Sequence, residues 1–299
     1  MEVGARARPI LIAGPTASGK SALALRLAEE TGGVIVNADA IQVYAEIAIL
    51  TARPDAAEVA RAPHRLYGHV PASDAYSVQR WLADVGPVLT ELAAAGRPPI
   101  LVGGTGLYLT ALTEGLSPVP AIDPAIRARW RTAAADLGAE ALHRELAARD
   151  PVMAARLRPS DPQRIVRALE VIDATGRSLA DWQREVGPPL VPLAAARALV
   201  VAPDRAALRQ RIERRFGAML AAGALEEARA VAALGLDPAL PAMKALGLRP
   251  LLAHLAGEMT LDAAIAAAVA DTRRYARRQE TWFRNRFADW PRVPPPWAD

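Results

Sequence analysis

Residues 14–21 read GPTASGKS and contain the first group of side chains that could do chemistry. The segment fits the pattern G-x-x-x-x-G-K-[ST], in which backbone N–H groups of a glycine-rich turn and the start of the next helix surround phosphate oxygens. Lys20 would add a positive charge, and the hydroxyl of Ser21 is placed to hold Mg²⁺. The residues predicted to form this phosphate site are Gly14, Pro15, Thr16, Ala17, Ser18, Gly19, Lys20 and Ser21.

Two more polar side chains follow apolar segments further along the chain. Asp39 lies in NADAIQVY (37–44), and a carboxylate beside a phosphate loop can bind Mg²⁺ or act as a general base. An aspartate there can equally cap a helix or a turn, so both interpretations stay open. For Thr105 in GGTG (103–106), position alone favours a structural cap over a ligand contact.

The elements that must position these residues are predicted in the order strand, loop, helix, strand. PILIAG (9–14) and VIVNAD (34–39) are typical of buried strands, and the segment between them predicts a helix that stops at the Gly32-Gly33 pair. A second helix is predicted over 76–96, and a third strand over PPILVGG (98–104). Parallel strands would bring the three groups named above to one edge of a sheet.

The texture of the chain changes after EGLSPVPAIDP (114–124), where prolines become frequent. Only helical patterns follow from about 123 to 186, and ARALVVAP (196–203) then predicts another strand. We therefore expect a phosphate-loop α/β core with a parallel sheet, formed by 1–117 and 197–299, with an all-helical insertion at 118–196. Helices are expected onward to RNRF, followed by an irregular tail.

Arginines are concentrated near the end of the chain. Six of them lie between Arg273 and Arg286, with Glu280 as the only acid in that segment and aromatic residues interleaved. Such a stripe suits an RNA backbone and unstacked bases, although a surface helix with inward-packed aromatics would look the same. Five arginines elsewhere could either recognise phosphate or lie on a solvated helix face, and both interpretations stay open. They are Arg164, Arg167, Arg211, Arg214 and Arg215.

Composition excludes several classes of site. The 299 residues include no cysteine, so disulfides, thiolate-zinc sites and cysteine nucleophiles are ruled out. The four histidines are scattered and the formal net charge is only +4. No apolar run reaches the ~20 residues of a membrane helix, and a cytoplasmic protein is expected. The third strand ends in glycines where an ATPase usually carries an acid, which favours transfer to an acceptor over hydrolysis.

Nine segments, in this order, together resemble the tRNA dimethylallyltransferase family, also called tRNA isopentenyltransferases, and its bacterial members in particular. They are GPTASGKS (14–21), DAIQVY (39–44), TARP (51–54), APHRL (62–66), LVGGTGLYL (101–109), DPQRIVRALEV (161–171), RIERRF (211–216), MKALG (243–247) and YARRQETWFR (275–284). The resemblance implies transfer of a dimethylallyl group from dimethylallyl diphosphate to N6 of the adenosine 3′ of the anticodon, in tRNAs that read codons beginning with U. It also implies Mg²⁺ as cofactor, the tRNA anticodon stem-loop as partner and a monomeric enzyme. In such an enzyme the helical insertion at 118–196 would bind the tRNA.

The resemblance implies roles for particular residues as well. Asp39 matches the family's base, Thr105 its channel threonine, and Lys20 and Arg215 groups that stabilise the leaving diphosphate, with Ser21 as the metal ligand. The residues that match tRNA-contacting positions are Asp39, Ala40, Ile41, Gln42, Thr105, Arg127, Gln163, Arg164, Ile165, Val166, Arg167, Lys244, Arg277, Arg278 and Gln279.

The chain departs from the family pattern at several positions. Ala40 stands where serine is usual, Leu50 where glycine is usual, and Leu248 where an aromatic residue is common. We expect these departures to change tRNA affinity or selectivity, and none of them removes a predicted catalytic group.

Two functions from other classes also fit parts of the sequence. A small-molecule or nucleoside kinase would use the same loop with ATP, and the insertion would then serve as its lid. A tRNA-binding protein with a purely structural loop would show no turnover and would tolerate Lys20→Ala. ATP is also expected to fit the loop as a competitor of the diphosphate.

Overall fold

The computed structural model describes residues 8–297 of the chain. Contacts divide these residues into two compact units. The core unit comprises the described parts of Met1–Thr113 and Leu190–Asp299, and the helical unit is Glu114–Pro189. The expected domain boundaries at 118 and 196 stay a prediction.

The core unit is built on one six-stranded parallel sheet. Its strands are β1 (Ile10–Ala13), β2 (Val34–Asn37), β3 (His64–Arg65), β4 (Pro99–Gly103), β5 (Arg197–Val201) and β6 (Arg292–Val293), arranged in the order β3-β2-β4-β1-β5-β6. Every residue of β1, β2 and β4 is buried. A strand covered on both faces has no polar side to show, which explains the continuous apolar runs in the sequence.

Helices cover both faces of this sheet. In the first part of the chain they are α1 (Lys20–Thr31), α2 (Ala56–Arg61), α3 (Val78–Ala94) and α4 (Gly106–Glu114). Ile10 and Ile12 pack with Leu23 of α1 on one face, while Leu11 packs with Trp81 of α3 on the other. Successive residues of β1 therefore supply two separate cores, as the period of a strand requires.

The helical unit consists of five helices around its own core. They are α5 (Pro124–Asp136), α6 (Gly138–Arg149), α7 (Pro151–Arg156), α8 (Pro162–Thr175) and α9 (Leu179–Trp182). Three of them begin with an Asp-Pro pair, in which Asp123, Asp150 or Asp161 caps the backbone N–H groups and proline fixes the first helical residue. The core of this unit includes Trp130 and Leu146.

The chain completes the core unit with β5, four helices and β6. The helices are α10 (Arg205–Ala221), α11 (Ala224–Ala233), α12 (Leu248–Leu255) and α13 (Leu261–Arg286), and a short 3₁₀ turn, Pro241–Lys244, precedes α12. Because β5 pairs with β1, the chain returns to the middle of the sheet after the helical unit.

The predicted fold class is confirmed, since the structure is an α/β protein with a parallel sheet. The tail predicted to be irregular instead contains β6, which extends the sheet beside β5. Two further elements, α2 and β3, were not predicted from the sequence, because they are short and carry no apolar run. Among residues 8–297, no helix combines the length and apolar character needed to cross a membrane.

Candidate active site at the carboxyl edge of the sheet

The loop between β1 and α1 has the backbone shape that its glycine-rich sequence predicts. Gly19, the residue before α1, has a φ of 89°, and Ala17 also lies in the left-handed region with a φ of 62°. The turn is closed by a hydrogen bond from the N–H of Ser18 to the carbonyl of Pro15 (3.1 Å). The start of α1, with its positive partial charge, follows this turn directly.

Two cationic side chains converge on the loop. Lys20 Nζ donates to the carbonyl of Pro15 at 3.2 Å, and Arg215 Nη1, from α10, lies 3.5 Å from Thr16 Oγ1. Burial lowers the pKa of Lys20 to about 8, with a smaller opposing effect of the Asp39 carboxylate. Burial and the neighbouring Arg211 also lower the pKa of Arg215. Both cations are thus partly desolvated before any ligand arrives, which favours binding of an anion there.

The backbone around Asp39 is fixed by its neighbour in β2. The buried side chain of Asn37 accepts from the N–H of Asp39 (2.9 Å) and donates to the carbonyls of Asp39 and Leu66 (3.0 Å each). One carboxylate oxygen of Asp39, Oδ1, accepts from the N–H of Ile41 at 3.0 Å and holds a turn. Oδ1 of Asp39 therefore caps a turn, which is one of the two roles that the sequence left open. Oδ2 lies beside Gly104, 3.4 Å from the position of a Cβ built on that glycine.

Thr105 connects the end of β4 to the segment that follows β2. Its hydroxyl oxygen accepts from the backbone N–H of Ala40 at 3.0 Å. The side chain keeps an exposed fraction at the edge of the site. Thr105 and Asp39 are thus brought together, as the topology of parallel strands predicted.

Aromatic side chains that were not predicted as site residues surround Asp39. Burial, and to a lesser extent the charge of Asp39, raises the pKa of Tyr67, Tyr108 and Tyr275. Tyr108 stacks on Trp81, whose indole N–H donates to the carbonyl of Asn37 at 2.8 Å. These buried tyrosines thus lie close enough to Asp39 for its charge to act on them.

Gln279 lies at the centre of this edge of the sheet. Although it comes from α13, Oε1 accepts from the N–H of Thr16, and Nε2 donates to the carbonyl of Gly104, each at 2.8 Å. The side chain is buried. This environment differs from the exposed surface that a direct tRNA contact by Gln279 would require.

The end of the described chain packs against the phosphate loop. A Cβ built on Gly19 would lie 2.6 Å from the indole nitrogen of Trp297, so only glycine fits at this contact. The guanidinium of Arg211 lies 4.9 Å from the centroid of the Trp297 ring. Because β6 runs parallel to β5, it directs the tail towards the same edge of the sheet as the loop.

The other candidate tRNA contacts of the core unit differ in accessibility. Ala40 and Ile41 are partly exposed. Gln42 donates its amide N–H groups to the carbonyls of Thr51 and Ala52 (3.0 and 2.9 Å). Lys244 is exposed in the 3₁₀ turn. Leu248, the departure from an aromatic, is fully buried and so changes packing rather than an RNA surface.

An open groove of about 710 Å³ lies along α13. Arg277 and Arg278, both exposed, line it together with Trp282, whose side chain is 37% exposed. Phe283, one position further, packs inward into the core. The helix thus divides its aromatic residues between the core and a basic outer face.

The remaining candidates belong to the helical unit. Arg127 lies on α5, and Gln163, Arg164, Val166 and Arg167 lie at the start of α8 with at least partial exposure. Ile165 is fully buried in the core of this unit, so a direct tRNA contact by its side chain is not what the structure offers.

The residues at the loop fit a magnesium ion that is bound mainly by phosphate oxygens and water. Ser21 places its hydroxyl in the exposed first turn of α1, next to Lys20. Within the part of the chain that the structure describes, no group of three or more His, Cys, Asp or Glu side chains could hold a metal by itself. Mg²⁺ usually binds in this way, through few protein ligands and a bound phosphate.

The fold and the site together define a phosphate-loop α/β protein with an acid and a threonine opposite the loop. A sequence model of the IPP transferase family matches residues 42–286, and the chain belongs to this family. A tRNA dimethylallyltransferase of Chelativorans sp. (strain BNC1) is 56% identical, over 95% of this chain and 98% of the relative. The resemblance drawn from the motifs is thereby confirmed.

Two solved structures share the fold. The tRNA isopentenylpyrophosphate transferase of Bacillus halodurans matches with a TM-score of 0.68 and 32% identity, over 96% of this chain and 90% of that chain. A eukaryotic dimethylallyltransferase, described as acting on tRNA, matches with a TM-score of 0.81 and 26% identity, over 96% of this chain and 73% of that chain.

Proposed function

We propose that the protein transfers the dimethylallyl group of dimethylallyl diphosphate to a tRNA and releases diphosphate. The acceptor is N6 of the adenosine on the 3′ side of the anticodon, in tRNAs that read codons beginning with U. The observation that carries the proposal is the meeting of two kinds of group at one edge of the sheet. The loop with Lys20 and Arg215 suits a diphosphate, and Asp39 with Thr105 suits a proton-bearing acceptor.

The loop side would stabilise the leaving group. As the bond between the allylic carbon and the bridging oxygen breaks, its electron pair stays on the diphosphate. Negative charge then grows beside Lys20, Arg215 and the N–H groups at the start of α1. Cations that are already partly desolvated and in place stabilise this charge without having to reorganise. Magnesium held by the diphosphate and Ser21 would neutralise part of the same charge.

Asp39 would serve the acceptor. The amine of adenine is a poor nucleophile because its lone pair is delocalised into the ring. As N6 bonds to the allylic carbon, its proton would pass to Oδ2 of Asp39, the carboxylate oxygen that does not hold the turn. A positioned general base of this kind contributes about 10²–10⁴-fold to a rate. Thr105, joined to Ala40, would contact the target nucleotide beside that carboxylate.

The basic face of α13 supports an RNA acceptor. Arginine side chains and the exposed Trp282 line its groove, which suits phosphates and unstacked bases. Reaching N6 requires the adenosine to leave its stack, and this costs least when the base lies in a loop. The anticodon stem-loop is therefore the proposed binding partner. We also propose that a monomer acts in the cytoplasm, because all the residues above come from one chain and tRNA is the substrate.

The test is incubation of the protein with unmodified tRNA, Mg²⁺ and radiolabelled dimethylallyl diphosphate, followed by nucleoside analysis. We expect label in N6-modified adenosine and one diphosphate released for each group transferred. A tRNA with guanosine in place of the target adenosine is the matched control and should remain unlabelled. The same assay without magnesium tests the cofactor.

The same assay with γ-labelled ATP separates the alternatives. Label transfer from ATP to a small molecule would reject the proposal and identify the protein as a kinase. Binding of tRNA without any turnover would identify it as a tRNA-binding protein. ATP added to the prenyl transfer reaction should act only as a competitor of the diphosphate, raising its apparent KM.

A further inference from the structure

Gln279 connects the two sides of the site through one buried amide. Its oxygen accepts a hydrogen bond from the N–H of Thr16 in the phosphate loop, and its nitrogen donates one to the carbonyl of Gly104 at the end of β4. Both distances are 2.8 Å and the side chain is only 6% exposed. A buried amide with both ends bonded has a single favourable orientation, so the two backbone segments are held at a fixed separation.

The amide is closely packed against the acceptor side of the site. A Cβ on Gly104 would lie 2.3 Å from Nε2 of Gln279 and 3.4 Å from Oδ2 of Asp39. The glycine therefore allows the amide to approach the end of β4 beside the unused carboxylate oxygen. Thr105, the next residue, carries the hydroxyl that is joined to Ala40.

The position of Gln279 on α13 adds a second connection. Its neighbours Arg277 and Arg278 are exposed on the basic face of the helix, while Gln279 points into the protein. The helix that offers a surface to an RNA thus also holds the loop that offers a site to a diphosphate.

We propose that Gln279 is a positioning residue for the transfer, which fixes the phosphate loop against the side of the site that carries Asp39 and Thr105. This inference rests on the proposed function. Bond formation requires the allylic carbon and the acceptor nitrogen to meet within about 3–3.5 Å, and a displacement of 1 Å can cost about 10²-fold in rate. The amide acts on the reaction through the two backbone segments and touches neither substrate.

The first test replaces Gln279 by methionine, which has a similar length and can make neither hydrogen bond. Gln279→Met should lower kcat by about 10²-fold, while Kd for tRNA and Kd for pyrophosphate each change less than threefold. Gln79→Met, the same change at an exposed position on α3, is the matched control and should retain the wild-type kcat. Circular dichroism and the melting temperature establish the folded fraction of each variant at the assay temperature.

The second test uses Gln279→Glu, which keeps the volume and the acceptor for the N–H of Thr16. Ionised, the glutamate has no donor for the carbonyl of Gly104; protonated, it regains one. Burial beside the Gly104 carbonyl and the Asp39 carboxylate favours the protonated glutamate and raises its pKa towards neutrality. The ratio of the kcat of Gln279→Glu to that of the wild type should therefore rise at least tenfold between pH 8 and pH 5.5. A residue that only fills space would give a ratio independent of pH.

The outcomes separate the two proposals. Absence of prenyl transfer by the wild-type protein would reject the proposed function and, with it, this role of Gln279. An active wild type with kcat of Gln279→Met within threefold, or a loss fully explained by equal losses in substrate binding or folded fraction, would reject the positioning role alone. If Gln279→Met does not fold, the pH ratio of Gln279→Glu decides, and a flat ratio rejects the role.

Discussion

The hydroxyl of Thr105 accepts a hydrogen bond from the backbone N–H of Ala40 at 3.0 Å, and so joins the end of β4 to the segment after β2. This bond connects the residue expected to contact the target nucleotide with the segment that carries the proposed base. Thr105, whose position in the sequence favours a structural cap, thus has a structural partner and a place in the site at the same time.

Thr105→Val is expected to lower kcat for prenyl transfer by about tenfold. Valine keeps the shape of the side chain but leaves the Ala40 N–H without its acceptor, at a cost of about 1–3 kcal/mol when the group is buried. Thr105→Ser restores the hydroxyl and should remain within threefold of the wild type. Single-turnover measurement with saturating tRNA gives the rate of the chemical step. Equal rates for the serine and valine variants would contradict a role for the hydroxyl.

Asp39→Asn should remove prenyl transfer while tRNA binding persists. The amide oxygen of asparagine can still accept from the N–H of Ile41, so the turn is retained, but the variant has no basic oxygen for the proton of N6. We expect kcat to fall about 10²–10⁴-fold, the usual contribution of a general base. Filter binding should give Kd for tRNA within threefold of the wild type, and a parallel loss of tRNA binding would contradict the base role.

Pyrophosphate binding should weaken as the pH rises through about 8. Burial lowers the pKa of Lys20 to about 8 in the folded protein, against 10.5 for an ordinary lysine. As the pH rises, the ligand-free folded protein therefore loses the proton of Lys20 at a lower pH than the unfolded chain does. Between these values the unfolded chain binds more protons. By linkage, the free energy of unfolding therefore rises with pH through this group while affinity for an anion falls.

Calorimetric titration with pyrophosphate between pH 7 and pH 9.5 measures this effect. Lys20→Met, titrated identically, removes the contribution of the ligand's own ionisation, and its affinity should be lower at pH 7 and change less with pH. Parallel pH profiles for wild type and Lys20→Met would contradict the assignment to Lys20.

The sequence was most informative where the chemistry is local. The loop from Gly14 to Ser21 could be predicted because its own glycine-rich backbone sets its shape, and the meeting of Asp39 with Thr105 followed from parallel strands. Gln279 could be matched to a family motif, but its buried position between Thr16 and Gly104 could not be predicted. It pairs with Thr16 across 263 positions of the chain, and no local pattern encodes such a contact.

The strand β6 and the role of Asn37 were not predicted, for a related reason. β6 has two residues, and only its pairing with β5 makes it a strand. Asn37 was predicted only as part of the buried strand 34–39, yet its side chain holds the backbone around Asp39 and donates to the carbonyl of Leu66, 29 positions away. The pairing of β6 and the bond to Leu66 both involve residues that are distant in the sequence, so composition and periodicity carry no signal for them.

Glu227 should stabilise the loop that follows the DAIQVY segment. Its carboxylate accepts the backbone N–H groups of Ala48, Ile49 and Leu50 at 2.7–2.9 Å. Glu227→Gln replaces one acceptor oxygen with a donor that faces these N–H groups. Since a hydrogen bond to a charged group contributes about 1.5–3 kcal/mol, we expect the free energy of unfolding to fall by about 2 kcal/mol.

Urea denaturation followed by circular dichroism measures this loss. The matched control is Glu226→Gln, the same change at the exposed neighbouring position on α11, which should stay within about 0.5 kcal/mol of the wild type. Equal stability of the two variants would show that the three hydrogen bonds contribute nothing net.

Arg277 and Arg278 should contribute to tRNA affinity and not to diphosphate affinity. Both are exposed to solvent and line the groove on α13, whereas the neighbouring Gln279 is the residue that points to the phosphate loop. The double variant Arg277→Gln/Arg278→Gln should weaken tRNA binding and reduce the slope of log K against log salt by about 0.7–0.9 for each RNA phosphate that is no longer neutralised. Its Kd for pyrophosphate should remain that of the wild type. Arg229→Gln, which removes one positive charge at an exposed position on α11, is the control. An unchanged salt slope in the double variant would place the RNA on another surface. A slope reduced by Arg229→Gln as much for each charge removed as in the double variant would mean that only the net charge matters.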